Sequence, residues 1–353
     1  EGSVSMSIQI ETFGTLPDGR EAKLYTLQNK NGMTLAATDY GCRIVKLLVQ
    51  DKDGQLGDVV LGHRTLPEYY GSNYQGATVG RYANRIGKGT FTHKGKTYTL
   101  AKNDGDNALH GGPGGYHQVL WSAEVKEGDE PSITFSHRSP DGDEGYPGNL
   151  DMTVTYTLTA QDELQIDYGA VCDQETPYNP TNHSFFNLFG DPQQEVFGTY
   201  LTIHAKEVTS VTDDLTPDGA FLPVAGGPLD FTSPKKLGDD MFCDDHFIQL
   251  WGGFDHNFCV EGEGFRKFAE AYEPNSGRVM EVFSDLPGVQ LYTFNSVLDL
   301  IGKDGKPMKP HTAFCLETQF YPDSVNHDNF PFRYLQPGEP FATRTVYRFS
   351  VKA

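Results

Sequence analysis

The 353-residue chain has 48 acidic and 28 basic residues, a formal charge of −20, with 37% hydrophobic and 12% aromatic content. So acidic a surface repels phosphate backbones and anionic lipid, which argues against nucleic acid or membrane as a partner and leaves a neutral small molecule compatible. No run approaches the ~18 apolar residues of a membrane span, and the five widely spaced cysteines contain no CxxC pair of the zinc or redox type.

In chain order, residues 1–9 read as a tail, and the opening EGSVS suits either a cloning remnant or a terminus left by cleavage. With no signal peptide visible, a cytoplasmic location is expected, or a periplasmic or secreted one if a leader has been removed. LPEYYG at 66–71 is at most a short helical turn, and FTHKGKTYTL is a hairpin turning near Gly95. SITFSH follows as a strand. In LDMTVTYTLT, Leu150, Met152, Val154, Tyr156 and Leu158 share one face, the period-two pattern of a half-buried strand. ELQIDYGAVC repeats it with Leu164, Ile166 and Tyr168, and YLTIHA is a shorter strand. Residues 208–240 read as a loop-rich, packed excursion anchored by Leu229 and Phe231. Near the end Tyr347, Phe349 and Val351 alternate again. Turn signals recur at Asn31-Gly32, Asp53-Gly54, Asp141-Gly142, Asp218-Gly219 and Asp304-Gly305. No long window keeps helical apolar spacing. The pattern predicts an all-β fold, a sandwich or barrel. Length alone suggests two domains at ~150 residues each, but no linker-like shift appears, so a single domain over 10–353 is preferred.

Five segments crowd polar groups beside glycine or aromatic residues. GRYANRIGKGTF (80–91) is not a phosphate loop, because six residues separate Gly80 from Gly87-Lys88 and Gly89 follows; an exposed basic turn is the plain reading. NALHGGPGGY (107–116) puts His110 before a glycine-rich turn. NPTNHSFFNL (179–188) sets Asn182, His183 and Asn187 among phenylalanines, where an unpartnered buried polar group costs about 1–3 kcal/mol. Its Asn-x-Ser sequon is discounted for the same aromatic surroundings. In GGFDHNFCV (252–260), Asp255 and Asn257 share a strand face, as a loop cap or as a hydroxyl acceptor. In FCLETQFYPD (314–323), Phe314, Leu316 and Thr318 alternate with Cys315, Glu317 and Gln319. A strand this apolar seldom carries a carboxylate unless it is paired or used. His110, His183 and His256 could converge on a metal, but no HxH or HExxH spacing exists, so no metal is expected.

In this order, GRYANRIGKGTF, LHGG, TPYNPTNHSFFNL, GGFDHNF, PGVQLYT and FCLETQFYPDSVNH resemble the aldose 1-epimerase (galactose mutarotase) family, from about residue 10 to the C-terminus. The resemblance implies a large antiparallel β-sandwich of the galactose mutarotase-like supersandwich type, and interconversion of the α and β anomers of a free aldohexose such as galactose or glucose. It implies His183 as general acid and Glu317 as general base. It further implies Asn84, Arg85, His110, Asp255 and Gln290 as sugar-binding residues. Tyr292, two residues after Gln290, shares its strand face and is expected to stack on the sugar or to pack in the core. The segment FSDLP before PGVQ departs from the family pattern, so Asp285 and Leu286 are expected to alter the pocket rim; the Pro of YNPTNHS also departs.

Anomer exchange needs a base for the C1 hydroxyl and an acid for the ring oxygen. No electron moves, so no cofactor is expected. A protonated histidine and an ionised carboxylate suit the roles, with Asp255 expected to keep His183 or His110 cationic. The partner is then a small-molecule aldose, with the chain a monomer or weak homodimer. A glycoside hydrolase would use two carboxylates instead, and a non-catalytic carbohydrate-binding domain would need aromatic platforms rather than an acid and a base.

Overall fold

The computed structural model describes residues 7–353; residues 1–6 of the expected tail lie outside the described residues. Alternation dominates it. A nine-stranded antiparallel sheet runs in the order Ser122–Lys126, Ser132–Ser139, Leu150–Leu158, Glu163–Cys172, Phe341–Val351, Arg278–Ser284, Arg266–Tyr272, Tyr200–Ile203 and Lys235–Lys236. Leu150, Met152, Val154, Tyr156 and Leu158 point inward together, as do Leu164, Ile166 and Tyr168. Tyr347 and Phe349 are buried with them, whereas Val351, at the strand end, is exposed.

Two five-stranded sheets pack against this layer. One is N-terminal and runs from Ile8–Thr15 to Leu56–Asp58; the other is ordered Pro217–Pro223, Ala205–Val211, Asp255–Val260, Gly288–Tyr292 and Cys315–Gln319. All three sheets contribute to one contiguous apolar cluster, through Leu47 and Val49, Val154 and Ile166, and Phe258, Val289 and Leu316. The fold is therefore all-β, as the sequence pattern predicts.

The 208–240 excursion holds more regular structure than expected. It contains the edge strand Pro217–Pro223. Its side chains are mostly exposed, so apolar alternation does not mark it, and its prolines suit a strand at an edge. Asp218-Gly219 does not close a turn there. It falls where the register against Ala205–Val211 shifts, in a bulge. Leu229 and Phe231 anchor the segment as expected, with Phe231 fully buried. LPEYYG forms a 3₁₀ turn at Leu66–Tyr69, and the hairpin turns at Gly95. The single α-helix among the described residues is His246–Trp251, capped by Asp245, which accepts from the N–H groups of Phe247 and Ile248, and ended by Gly252 in the left-handed region. No helix of the described residues is long and apolar enough to cross a membrane.

Gly76 joins the N-terminal sheet to the strand that carries His183. Its carbonyl accepts the Ile44 N–H and its own N–H donates to the His183 carbonyl, each at 2.9 Å. Its φ is +70°, and a Cβ would lie 2.0 Å from the Ile44 oxygen. Gly32 has φ +94° with nothing within 4 Å of a Cβ. Gly32→Ala is therefore expected to lose only the left-handed backbone penalty, about 1–2 kcal/mol, and Gly76→Ala roughly 3 kcal/mol or more. Urea unfolding of both variants measures the difference; equal losses would show that the close approach relaxes freely.

Candidate active site

The floor of the site is one face of the second five-stranded sheet. Its registers align Asp255 with Tyr292 and Cys315, and Asn257 with Gln290 and Glu317. The opposite face carries Phe258, Val289, Leu291 and Leu316 into the core. Period-two alternation thus puts a carboxylate over a cavity on a strand whose other side is apolar.

His183 arrives from a different direction. Its strand, Thr181–His183, pairs with Ala77–Val79. Three residues on, Phe186 and Phe314 exchange two backbone hydrogen bonds of 2.8 and 2.9 Å. Continued three residues outward, this antiparallel register sets His183 opposite Glu317. The His183 Nε2 lies 3.3 Å from the Glu317 Oε1, with both side chains buried. The imidazole is held between aromatic faces, stacked on Phe185 at 5.0 Å and on Tyr74 at 6.0 Å. Yet Glu317 Oε1 and His183 Nδ1 have no hydrogen-bond partner. Buried polar atoms left unpaired against a cavity await a ligand or water.

The cavity is about 450 Å³ and is lined by Asn84, Arg85, His110, His183, Asp255, Tyr292 and Glu317, among others. His110 Nδ1 accepts the Asn84 backbone N–H at 2.9 Å, so the neutral ring carries its proton on Nε2 and offers a donor. Both residues sit at positive φ, +49° for His110 and +61° for Asn84. Next to them, Gly111 lies so close to the Gly80 carbonyl that a Cβ would come within 2.0 Å of its oxygen. Arg85 Nε donates to Asp104 Oδ2 at 2.7 Å. Gln290 lies outside the set of cavity-lining residues: its amide donates to Asp255 Oδ1 at 2.7 Å and accepts from Gln319 Nε2 at 3.0 Å. Its amide thereby ties Asp255 to Gln319 on the face that carries Glu317. Asp285 and Leu286 also lie away from the cavity, bonded to the Thr343 hydroxyl and to the Arg266 guanidinium respectively.

The electrostatics differ from the expected ion pair. Burial pushes Glu317 well above the usual carboxylate range, Asp255 adds to the rise and Arg85 opposes it. Burial pushes His183 down to about 4, and the Arg43 charge lowers it further. Burial also holds His110 well below the usual histidine range. Asp255 therefore acts on Glu317 rather than keeping an imidazole cationic. Both members of the pair favour their neutral forms, so that the pair carries one ionisable proton, on Glu317.

The aldose 1-epimerase family model matches residues 23–348. Galactose mutarotase of Sus scrofa is 43% identical over 352 residues, 98% of this chain and 99% of that protein. Galactose mutarotase of Homo sapiens is 43% identical over 350 residues, with the same coverage. The chain belongs to the aldose 1-epimerase family. The crystal structure of an aldose epimerase homologue from C. elegans superposes with a TM-score of 0.86 at 32% identity, covering 94% of this chain and 100% of that one. As a member of this family the chain is a carbohydrate isomerase, and its reaction is the interconversion of aldose anomers.

A metal reading of this epimerase site meets a chemical obstacle. His110, His183 and Glu317 offer ligand atoms within 4.8 Å of one another, while His256 sits apart, packed by Trp251 and Phe254. A neutral histidine that binds metal through Nε2 donates its Nδ1 proton. Here Nδ1 faces an N–H donor, so Nε2 already carries the proton. The donor set does not fit a metal.

Sequence reasoning missed Tyr74, Trp251 and the wall of Phe294, Asn295, Ser296 and Leu298, all of which line the cavity. The segment GSNYQG, with three polar side chains between Gly71 and Gly76, was a readable signal for Tyr74.

With His183 held near pH 4, a second proton reaches the pair only far below the ordinary histidine range. The epimerase rate is expected to stay flat as pH falls through 6.5 and to drop only toward about 4; a kcat/KM profile with an acid limb near 6.5 would contradict this.

Proposed function

We propose that, from the form in which the pair's proton sits on His183, Glu317 takes the proton of the C1 hydroxyl while His183 gives a proton to the ring oxygen of a free aldohexose such as galactose or glucose. The C1–O5 bond breaks as the C1 carbonyl forms. The open-chain aldehyde rotates about C1–C2, and the same two groups run the step backwards on the other face. The observation that carries this reading is the apposition of a buried histidine and a buried carboxylate at 3.3 Å, with unpaired atoms in a sugar-sized cavity.

The perturbed acidities suit both roles. A depressed imidazolium is a strong acid for the ring oxygen, and a raised carboxylate is a strong base for a weakly acidic hydroxyl. The protonation state that burial favours, neutral His183 with protonated Glu317, is also the state that accompanies the open-chain aldehyde. Burial thus biases the site toward the high-energy intermediate rather than toward the closed ring. His110 Nε2–H, Arg85 and Asn84 supply donors and Asp255 an acceptor for hydroxyls, and Tyr292 an aromatic wall. The five free cysteines suit a reducing compartment such as the cytoplasm.

Polarimetry of freshly dissolved α-glucose and α-galactose tests the proposal. Wild-type protein should speed equilibration, and His183→Ala and Glu317→Gln should each lower kcat by about 10²–10⁴-fold with the fold retained by circular dichroism. Wild-type rates in either variant, or release of reducing sugar from a glycoside, would defeat the assignment.

The charge balance of the cavity adds a selectivity. The one guanidinium is neutralised by Asp104 at 2.7 Å, and Asp255 and Glu317 remain as acids. An anionic aldose such as galacturonate meets no free cation and is expected to show at least ~10-fold lower kcat/KM than galactose, about 1.4 kcal/mol. Equal values would contradict it.

A further inference from the structure

Arg43 is among the most deeply buried side chains of the protein, with 0% exposure, and it faces no carboxylate among the described residues. Its Nη1 donates to the Gln75 carbonyl at 3.2 Å, and its Nη2 to the carbonyls of Asn73 and His117, both at 2.7 Å. The guanidinium carbon lies 5.5 Å from the Tyr40 ring and 5.1 Å from the Tyr69 ring. Carrying a bare cation into a core is costly unless its donors are used. Two of the three carbonyls belong to residues 73 and 75. The residue between them, Tyr74, is the one that meets three imidazoles: His110 at 4.7 Å, His117 at 4.6 Å and His183 at 6.0 Å.

We infer that Arg43 is a positioning residue for catalysis: by clamping the carbonyls on either side of Tyr74 it fixes the aromatic face against which His183 is aligned with Glu317. The inference rests on His183 as the acid but concerns groups that touch neither sugar nor the reacting atoms in the case of Arg43. The clamp also brings a fixed positive charge to bear on His183, which lowers its proton affinity. The other charged or titratable groups around His183 are Glu317 at 3.3 Å, His110 across an edge-on contact of 5.2 Å, Tyr74 and Tyr292. Arg85 and Asp255 stand further round the cavity and His117 stands behind Tyr74. None of these supplies a second fixed cation behind the ring.

The test uses the full chain with Arg43→Lys, Arg43→Gln and Tyr74→Leu, alone and combined. Lysine keeps the charge but not the three-way clamp. Arg43→Lys and Tyr74→Leu should each lower kcat at least tenfold with KM within about threefold. The double variant should lose no more than the worse single one, because the two act as a unit. Arg43→Gln should in addition move the acid limb of the pH profile upward, toward the ordinary histidine range. If Arg43→Gln fails to fold, Arg43→Lys and the double variant still decide. A folded Arg43→Lys with wild-type kcat, or losses that simply add, would reduce Arg43 to a loop staple and overturn the inference. Failure of the acid assignment itself would show separately, as retained activity in His183→Ala.

Discussion

The Phe186–Phe314 bridge is the constraint on which the apposition of His183 and Glu317 depends. Two backbone hydrogen bonds join segments 128 residues apart in sequence, and they set an antiparallel register whose continuation opposes His183 to Glu317. Register has no half-steps. A slip of one residue along Cys315–Gln319 would exchange Leu316 for Glu317, sending the carboxylate into the core and a leucine into the cavity. The phenylalanines around His183 are therefore not a passive wall: Phe186 fixes the pairing, and Phe185 fixes the ring plane.

Loops rather than helices carry much of the site, and buried arginines hold loops both there and elsewhere in the fold. Arg43, Arg81 and Arg278 are buried, and each donates mainly to backbone carbonyls: residues 73, 75 and 117 for the first, 139, 147 and 148 for the second, 49, 188 and 189 for the third. A planar fork of donors can satisfy several carbonyls that no strand partner reaches. This places cations inside a chain whose formal charge is −20, where the buried carboxylates Asp39, Glu273, Glu317 and Asp323 offset them in number.

What could be read from the sequence follows from what alternation records. Leu150–Leu158 and Glu163–Cys172 have one buried and one solvent face, and their residues say so. Cys315–Gln319 is buried on both faces, and it was legible because Glu317 stood out as a charge among apolar neighbours. Pro217–Pro223 was not, because an exposed edge strand has no buried face to mark. The cavity was legible at His110, His183, Asp255 and Glu317 through a family resemblance rather than through spacing. Tyr74 and Arg43 escaped because their roles arise from contacts between distant segments, and a lone arginine in a strand gives no sign that three carbonyls will gather round it. For Gln290 the strand face was legible, but its bonds to Asp255 and Gln319 were not.

His110 shows what a single backbone amide can impose. With the Asn84 N–H aimed at Nδ1, charging the ring would set two donors head to head in a dry site. The imidazole beside His183 thereby resists charging. It behaves as a permanent donor, closer to an asparagine amide than to a histidine, and under the proposed function it would offer the same donor whatever the protonation of His183 and Glu317.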